Sequence, residues 1–200
     1  MVYMKKKLII TQKNKKIMLS LLLSVSIIGA FLFLNRQPKE YEYVAAEEYS
    51  TKYQTVFIDK IADEAQNLQA QTNLFASITI AQAILESDWG NSELAQESNN
   101  LFGIKAQESD QSTTLPTDEY EDGERITIDA AFKKYDTVQE SMVDHIVFLE
   151  GASYAPVKTA KNYIEAAHAL KAGGYATDPK YAEKLIELIE QFKLDKFDTI

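Results

Sequence analysis

Hydrophobic side chains fall into one continuous run near the start of the chain and several periodic stretches after it. The run, Ile17–Leu34, has 18 residues without a charge, and serines are its only polar side chains. As a helix it would span about 27 Å, close to the roughly 30 Å hydrocarbon core of a bilayer. We therefore predict a transmembrane helix at residues 17–34.

Beyond residue 50 the apolar positions recur every three or four residues, which is the spacing of an amphipathic helix. The stretch 74–88 is instead apolar nearly all round, and this pattern predicts a buried central helix. Later helices are marked by a capping box at Thr137 and Glu140, and by Asp178-Pro179 as N-cap and first residue. The apolar stripe of the first predicted helix comprises Tyr53, Phe57, Ile61, Ala65 and Leu68. The predicted helices are 48–71, 74–88, 138–150, 159–172 and 179–192.

Two stretches between these helices favour extended structure. Residues 115–120 and 125–134 flank Asp122-Gly123, and Ile126 and Ile128 alternate with polar neighbours. Such a dipeptide between alternating stretches is a strong hairpin signal. Residues 91–111 are expected to be irregular. The pattern therefore predicts an α+β domain, mainly helical, with one small β-hairpin lobe.

The net charge of −9 averages two unlike parts of the chain. Residues 1–39 contain eight Lys or Arg and no acidic residue, whereas the remainder contains 13 basic and all 30 acidic residues. Lysines before an apolar run stay in the cytoplasm, so we expect the acidic part outside the membrane. An acidic domain is repelled by phosphates, which argues against nucleic-acid binding.

The expected organisation is a cytoplasmic tail (1–16), a transmembrane signal anchor (17–34), a stalk (35–50) and a catalytic domain (51–200). A cleaved signal peptide is the alternative interpretation of the apolar run. The run is longer than the usual hydrophobic region of a signal peptide, and no A-x-A-like site follows it closely. The chain has no cysteine, which excludes disulfides, a lipid-attached lipoprotein and thiolate chemistry.

The stretch 82–90 is the most informative for chemistry. Glu86 lies at the end of the predicted buried helix, where burial would raise its pKa and suit it to act as a general acid. Trp89 follows three residues later, and an aromatic plane beside a protonated carboxyl suits a sugar ring. A surface glutamate beside a tryptophan that fills the core is the alternative interpretation.

A glycosidase needs a second carboxylate. The hairpin offers several candidates, and spacing alone does not choose among them. They are Asp118, Glu119, Glu121, Asp122 and Glu124. The two histidines, His145 and His168, do not have metal-ligand spacing, so no metal site is predicted.

Several motifs in order resemble the glucosaminidase domain of glycoside hydrolase family 73, which includes bacterial autolysins and flagellar peptidoglycan hydrolases. The similarity covers about residues 52–192. The motifs are 81–90 (AQAILESDWG), 99–105 (NNLFGIK), 117–120 (TDEY), 132–135 (FKKY), 140–145 (ESMVDH) and 173–178 (GGYATD). One departure is Lys133, where the family often has arginine.

The resemblance implies a lysozyme-like α+β fold and hydrolysis of the β-1,4 bond between N-acetylglucosamine and N-acetylmuramic acid in peptidoglycan. It implies that Glu86 is the catalytic acid and that Glu119 is the second carboxylate, a base or a stabiliser of positive charge. The groove positions that it implies are Trp89, Asn100, Phe102, Tyr120 and Tyr175. No cofactor is implied, and we expect a monomer that acts on glycan strands.

Two rival functions stay open from the sequence. A muramidase or lytic transglycosylase of a related fold would cut the other glycosidic bond. A non-catalytic wall-binding protein would cut neither bond.

Overall fold

A computed structural model describes residues 40–121 and 124–198, with side chains at 51–117 and 127–198. The chain divides into two compact units, residues 1–51 and 52–200, and the second holds the core. The helices are α1 (Glu40–Thr72), α2 (Ala76–Ser87), α3 (Glu93–Ser98), α4 (Val138–Phe148), α5 (Ala155–Lys158), α6 (Tyr163–Ala172) and α7 (Tyr181–Phe192), with 3-10 turns at Ala152–Tyr154 and Leu194–Phe197. The strands are β1 (Ser112–Glu121) and β2 (Glu124–Lys133).

The predicted anchor at 17–34 lies outside the described residues. Within the described part of the chain, no helix is both long enough and apolar enough to span a bilayer. Helix α1 begins at Glu40, earlier than the predicted residue 48, so part of the segment expected to be a stalk is helical.

The central position of α2 is confirmed. All of its residues from Ala76 to Ile84 are buried, and the helix packs against α6, α7 and the last 3-10 turn. Four of the five residues in the stripe predicted for α1 are buried, namely Phe57, Ile61, Ala65 and Leu68, and Tyr53 is half-buried. Because α2 is covered on all sides, it needs apolar residues on every face, and this explains its sequence.

The hairpin is confirmed as a two-stranded antiparallel sheet, in which Glu119 pairs with Ile126 and Thr113 with Phe132. Its predicted turn, residues 122–123, lies outside the described residues. The base of the hairpin is joined to the loop after α3: Lys133 N donates to Ile104 O at 2.9 Å, and Ala106 N donates to Ala131 O at 2.9 Å. The resulting architecture is mostly helical with a small two-stranded sheet, as the sequence predicts.

The predicted starts of two later helices were also wrong. Asp178 Oδ1 accepts from Lys180 N at 2.8 Å, which closes a turn, and α7 begins only at Tyr181 with Lys180 as its N-cap. Helix α6 begins at Tyr163 because Asn162 caps it by accepting from Glu165 N. The N-cap at Thr137 is confirmed, with Oγ1 accepting from Glu140 N at 3.2 Å, and Glu140 Oε2 accepts from Asp136 N at 3.0 Å.

Candidate active site

Glu86 lies at the end of α2, beside a cavity of about 560 Å³. The helix ends one residue later, where the Ser87 hydroxyl donates to Ala83 O and accepts from Gly90 N. Glu86 keeps exposed surface toward the cavity, while the protein around its carboxyl displaces much of the bulk water. The most apolar helix among the described residues thus presents an acid to an open cavity.

Tyr181 holds the Glu86 carboxyl, and Gln82 in turn holds Tyr181. Tyr181, the first residue of α7, donates its hydroxyl proton to Glu86 Oε1 at 2.9 Å. Gln82 Nε2, one turn before Glu86 on α2, donates to the same Tyr181 oxygen at 3.0 Å. Because the amide nitrogen only donates, the Tyr181 proton points to the carboxyl. The chain of hydrogen bonds therefore fixes the orientation of the acid.

The pKa of Glu86 is raised above its usual value of 4.5. Desolvation by burial is the main cause, and it outweighs the opposite effects of the Tyr181 hydrogen bond and the Lys184 charge. A carboxyl with a raised pKa holds its proton at higher pH than an exposed glutamate does. This property suits a general acid.

Tyr175 lines the same cavity and completes the aromatic surroundings of the acid. Its ring stacks on Tyr181 with centroids 5.4 Å apart and an interplanar angle of 21°. Burial, and then the nearby Glu86 charge, raise the pKa of Tyr175 well above 10, so its hydroxyl remains protonated at neutral pH. Tyr175 is therefore available as a hydrogen-bond donor beside Glu86.

Phe102 forms another wall of the cavity, and His145 supports it from behind. The two rings are parallel, with centroids 3.9 Å apart and an interplanar angle of 8°. His145 is fully buried, and neither ring nitrogen meets a hydrogen-bond partner among the described residues. Burial lowers the pKa of His145 to about 3, so the ring is neutral and packs as a flat aromatic plate.

Asn100 acts on the cavity indirectly, because its side chain is used within the protein. Its Nδ2 donates to Ile104 O and Lys133 O, each at 2.9 Å, and its Oδ1 accepts from Ile104 N at 3.1 Å. The residue is buried. Asn100 therefore shapes the loop that carries Phe102 and joins this loop to β2.

A cluster of charged and polar residues lies at the edge of the cavity. Asp144 Oδ2 accepts from Lys133 Nζ at 2.9 Å and from Tyr135 Oη at 2.7 Å. Burial raises the pKa of Asp144, but the two hydrogen bonds and the Lys133 charge outweigh this effect and lower it overall. Lys133 therefore lines the cavity of Glu86 and also holds Asp144 at its edge.

The structure does not bring Trp89 into the cavity of Glu86. Trp89 lines a separate cavity and packs edge-to-face with Phe192, at a centroid distance of 4.8 Å, and with Phe57. Its expected position beside Glu86 assumed that the helix continues, but α2 ends at Ser87 and Trp89 has a φ of 59°. Contact between Trp89 and a sugar stays a prediction.

Glu119 and Tyr120 lie near the end of β1, where they pair with Ile126 and Arg125. Their side chains are outside the described part of the chain, so the role predicted for each stays a prediction. The expected pair of carboxylates is thus divided between the helical body and the hairpin.

Tyr181 was not predicted from the sequence to be part of the site. It is separated from Glu86 by 95 positions, and its only local signal is its place just after Asp178-Pro179. The motifs 132–135 and 140–145 were predicted separately from the sequence, although their side chains meet at Asp144. Such contacts depend on tertiary packing, which spacing along the chain does not reveal.

Comparison with known proteins gives a consistent result. Residues 62–194 match the family model described as glucosaminidase, mannosyl-glycoprotein endo-beta-N-acetylglucosaminidase. The exo-glucosaminidase LytG of Bacillus subtilis is 46% identical over 94% of this chain and 69% of its own length. A probable N-acetylmuramidase of Lactococcus lactis is 37% identical over 74% of this chain, which spans only 36% of that relative.

Solved structures agree with the sequence comparison. The catalytic domain of the autolysin Auto from Listeria monocytogenes aligns with a TM-score of 0.67 and 36% identity. The alignment covers 82% of this chain and all of that domain.

Proposed function

The chain belongs to the glucosaminidase family, and from this premise we infer that it is a glycoside hydrolase that cuts peptidoglycan at the β-1,4 bond after N-acetylglucosamine. The single observation that carries the proposal is the environment of the Glu86 carboxyl. The carboxyl has a raised pKa, a fixed orientation and an open cavity in front of it.

In the proposed mechanism, Glu86 donates its proton to the glycosidic oxygen as the bond breaks. Tyr181 already donates to Oε1 and would stabilise the carboxylate that forms. Glu119, from the hairpin, would activate water or stabilise positive charge at the anomeric carbon, and the N-acetyl group of the substrate is an alternative nucleophile. No step requires a cofactor.

The names of two relatives raise alternatives in the mode of cleavage and in the bond that is cut. LytG is named an exo-glucosaminidase, whereas the family description names an endo enzyme, and we propose endo cleavage for this chain. An endo enzyme produces fragments of many lengths early in digestion, but an exo enzyme releases small products from chain ends. The Lactococcus relative, a probable N-acetylmuramidase, supports the rival assignment to the other bond.

Substituting Glu86→Gln tests catalysis against the wall-binding alternative. We expect hydrolysis of purified peptidoglycan to fall by about 10²–10⁴-fold, since general acid catalysis contributes on that scale. The melting temperature of the variant at pH 7 should not fall. A carboxyl whose pKa is raised in the folded state stabilises the fold less once it is ionised, and glutamine cannot ionise. Clearing of a peptidoglycan gel by this variant at the wild-type rate would contradict the proposal.

We also propose that residues 17–34 anchor the protein in the cell membrane, with the catalytic domain on the outer side facing the wall. The unbroken apolar run and the six lysines before it support this topology. In this arrangement a monomer held at the membrane would remodel nearby glycan strands.

A further inference from the structure

A second cavity adjoins the one at Glu86. It has a volume of about 610 Å³ and lies between the base of the hairpin and α4. The two cavities share Lys133, Asp144 and Val147 as lining residues. A branched substrate in the first cavity would therefore reach the second without leaving the protein surface.

One side of this second cavity is apolar although it faces solvent. Val143 and Val147 are spaced four residues apart on α4, and both line the cavity. They are 46% and 60% exposed, whereas Val138, Met142 and Ile146 of the same helix are buried. Exposed valines that line a cavity fit small aliphatic groups of a ligand.

Charged side chains also line this cavity, with a surplus of carboxylates. Lys133 Nζ contacts Asp144 Oδ2 at 2.9 Å and Asp110 Oδ2 at 3.7 Å, so two carboxylates share this lysine. The other charged lining residues are Asp136, Glu140 and Lys134. Four carboxylates thus meet two ammonium groups in the lining, which favours a positively charged group of a ligand near Asp136 or Glu140.

We propose that this second cavity binds the stem peptide of peptidoglycan, a short peptide with alanine methyl groups, a free primary ammonium group and carboxylates of its own. This inference rests on the proposed function, because the peptide branches from the glycan that Glu86 would cut. The methyl groups contact Val143 and Val147. The ammonium group lies near Asp136, and a peptide carboxylate lies near Lys134. A neutral sugar uses neither the charge surplus nor the exposed valines.

The test compares two substrates with the full-length protein. One is uncrosslinked glycan that carries stem peptides, and the other is the same glycan stripped of peptides by an amidase. The variants are Val143→Gln and Asp136→Asn. The matched controls are Ile164→Gln, which alters an aliphatic residue that is 41% exposed on α6, and Asp63→Asn on the exposed face of α1.

With Val143→Gln, we expect kcat/KM on the peptide-bearing glycan to fall about five-fold further than on the stripped glycan, as expected for a lost apolar contact. With Asp136→Asn the extra loss is about three-fold, typical of an exposed ion pair. It should disappear when the peptide ammonium is acetylated. Both effects should appear mainly in KM, and neither control should discriminate between the substrates.

Equal losses on both glycans would overturn the proposal and assign the cavity to sugar units. No loss on either glycan would also overturn it. If the wild-type protein cleaves neither glycan, the proposed function itself fails, and that result is distinct from the other two.

Discussion

At the scale of single residues, the chemistry depends on the balance of effects on Glu86. Burial raises the pKa of its carboxyl, and the Tyr181 hydroxyl acts in the opposite direction because it stabilises the ionised form. An acid catalyst needs both effects: the proton must be present before the reaction, and the carboxylate must be stabilised after transfer. Gln82 supports this balance by fixing the direction of the Tyr181 proton.

Substituting Tyr181→Phe removes the hydrogen bond and leaves most of the burial. The pKa of Glu86 should then rise further above 4.5, so the alkaline limb of the pH–rate profile should move to higher pH. Turnover should fall about ten-fold, because the hydrogen bond to the forming carboxylate is lost.

The measurement is kcat/KM on purified peptidoglycan across the pH range, with Tyr163→Phe on α6 as the control. In the wild-type protein, activity should decline as pH rises through the pKa of Glu86. If the alkaline limb of Tyr181→Phe moves to lower pH or does not move, Tyr181 does not act on the acid.

At the scale of elements, α2 is held by side chains from distant parts of the chain. Its N-cap, Phe75, offers no side-chain hydrogen bond. Gln69 Oε1 instead accepts from Ala76 N at 2.7 Å, and Asp198 accepts from Ser77 N at 2.8 Å and from Ser77 Oγ at 2.6 Å. The end of the chain therefore caps the helix that presents Glu86.

Substituting Asp198→Ala should destabilise the fold by about 1–2 kcal/mol, the usual cost of losing an N-terminal cap with a favourable helix-dipole interaction. The free energy of unfolding in urea would measure this loss. Asp63→Ala, at an exposed position on α1, is the control. Equal stability of the two variants would show that the contact does not stabilise α2.

The elements also show what a single sequence reveals. Periodicity identified α2 and the hairpin because α2 is covered on all sides and the strands flank a turn dipeptide. It missed α3, which is six residues long and depends on a Ser92 cap. It placed the start of α7 too early because Asp178 caps a turn instead of the helix. Short-range signals compete at such ends, and tertiary contacts decide between them.

At the scale of the candidate site, the sequence indicated Glu86, Phe102 and Tyr175, and the structure brings these three together. Their prediction relied on motifs that resemble a known family. Tyr181 was missed because its contact with Glu86 crosses 95 positions. Trp89 was expected beside the acid, but left-handed backbone after Ser87 directs it to another cavity.

At the scale of the whole molecule, we interpret the uneven distribution of charge along the chain as a signal of membrane topology. In the proposed topology, the basic residues before 40 would remain inside the cell and the acidic part would work outside. An acidic enzyme is not attracted to anionic wall polymers by its net charge. Specific cavity contacts and the proposed anchor would therefore hold it near its substrate.

The anchor predicts that the full-length protein sediments with membranes and that protease added outside the cell removes the catalytic domain. A variant with Leu22→Arg and Ile27→Arg should not remain in the membrane, because charge at the centre of a helix opposes insertion. Soluble protein in the culture medium, cut near residue 46, would instead support a cleaved signal peptide.

The most direct test of the central claim identifies the sugar at the new reducing end. Purified peptidoglycan is digested with the wild-type protein and with Glu86→Gln, the ends are reduced with borohydride, and the reduced sugars are identified by mass spectrometry. We predict reduced N-acetylglucosamine from the wild-type digest and almost none from the variant. Reduced N-acetylmuramic acid would contradict the account, because the enzyme would then cut the other bond.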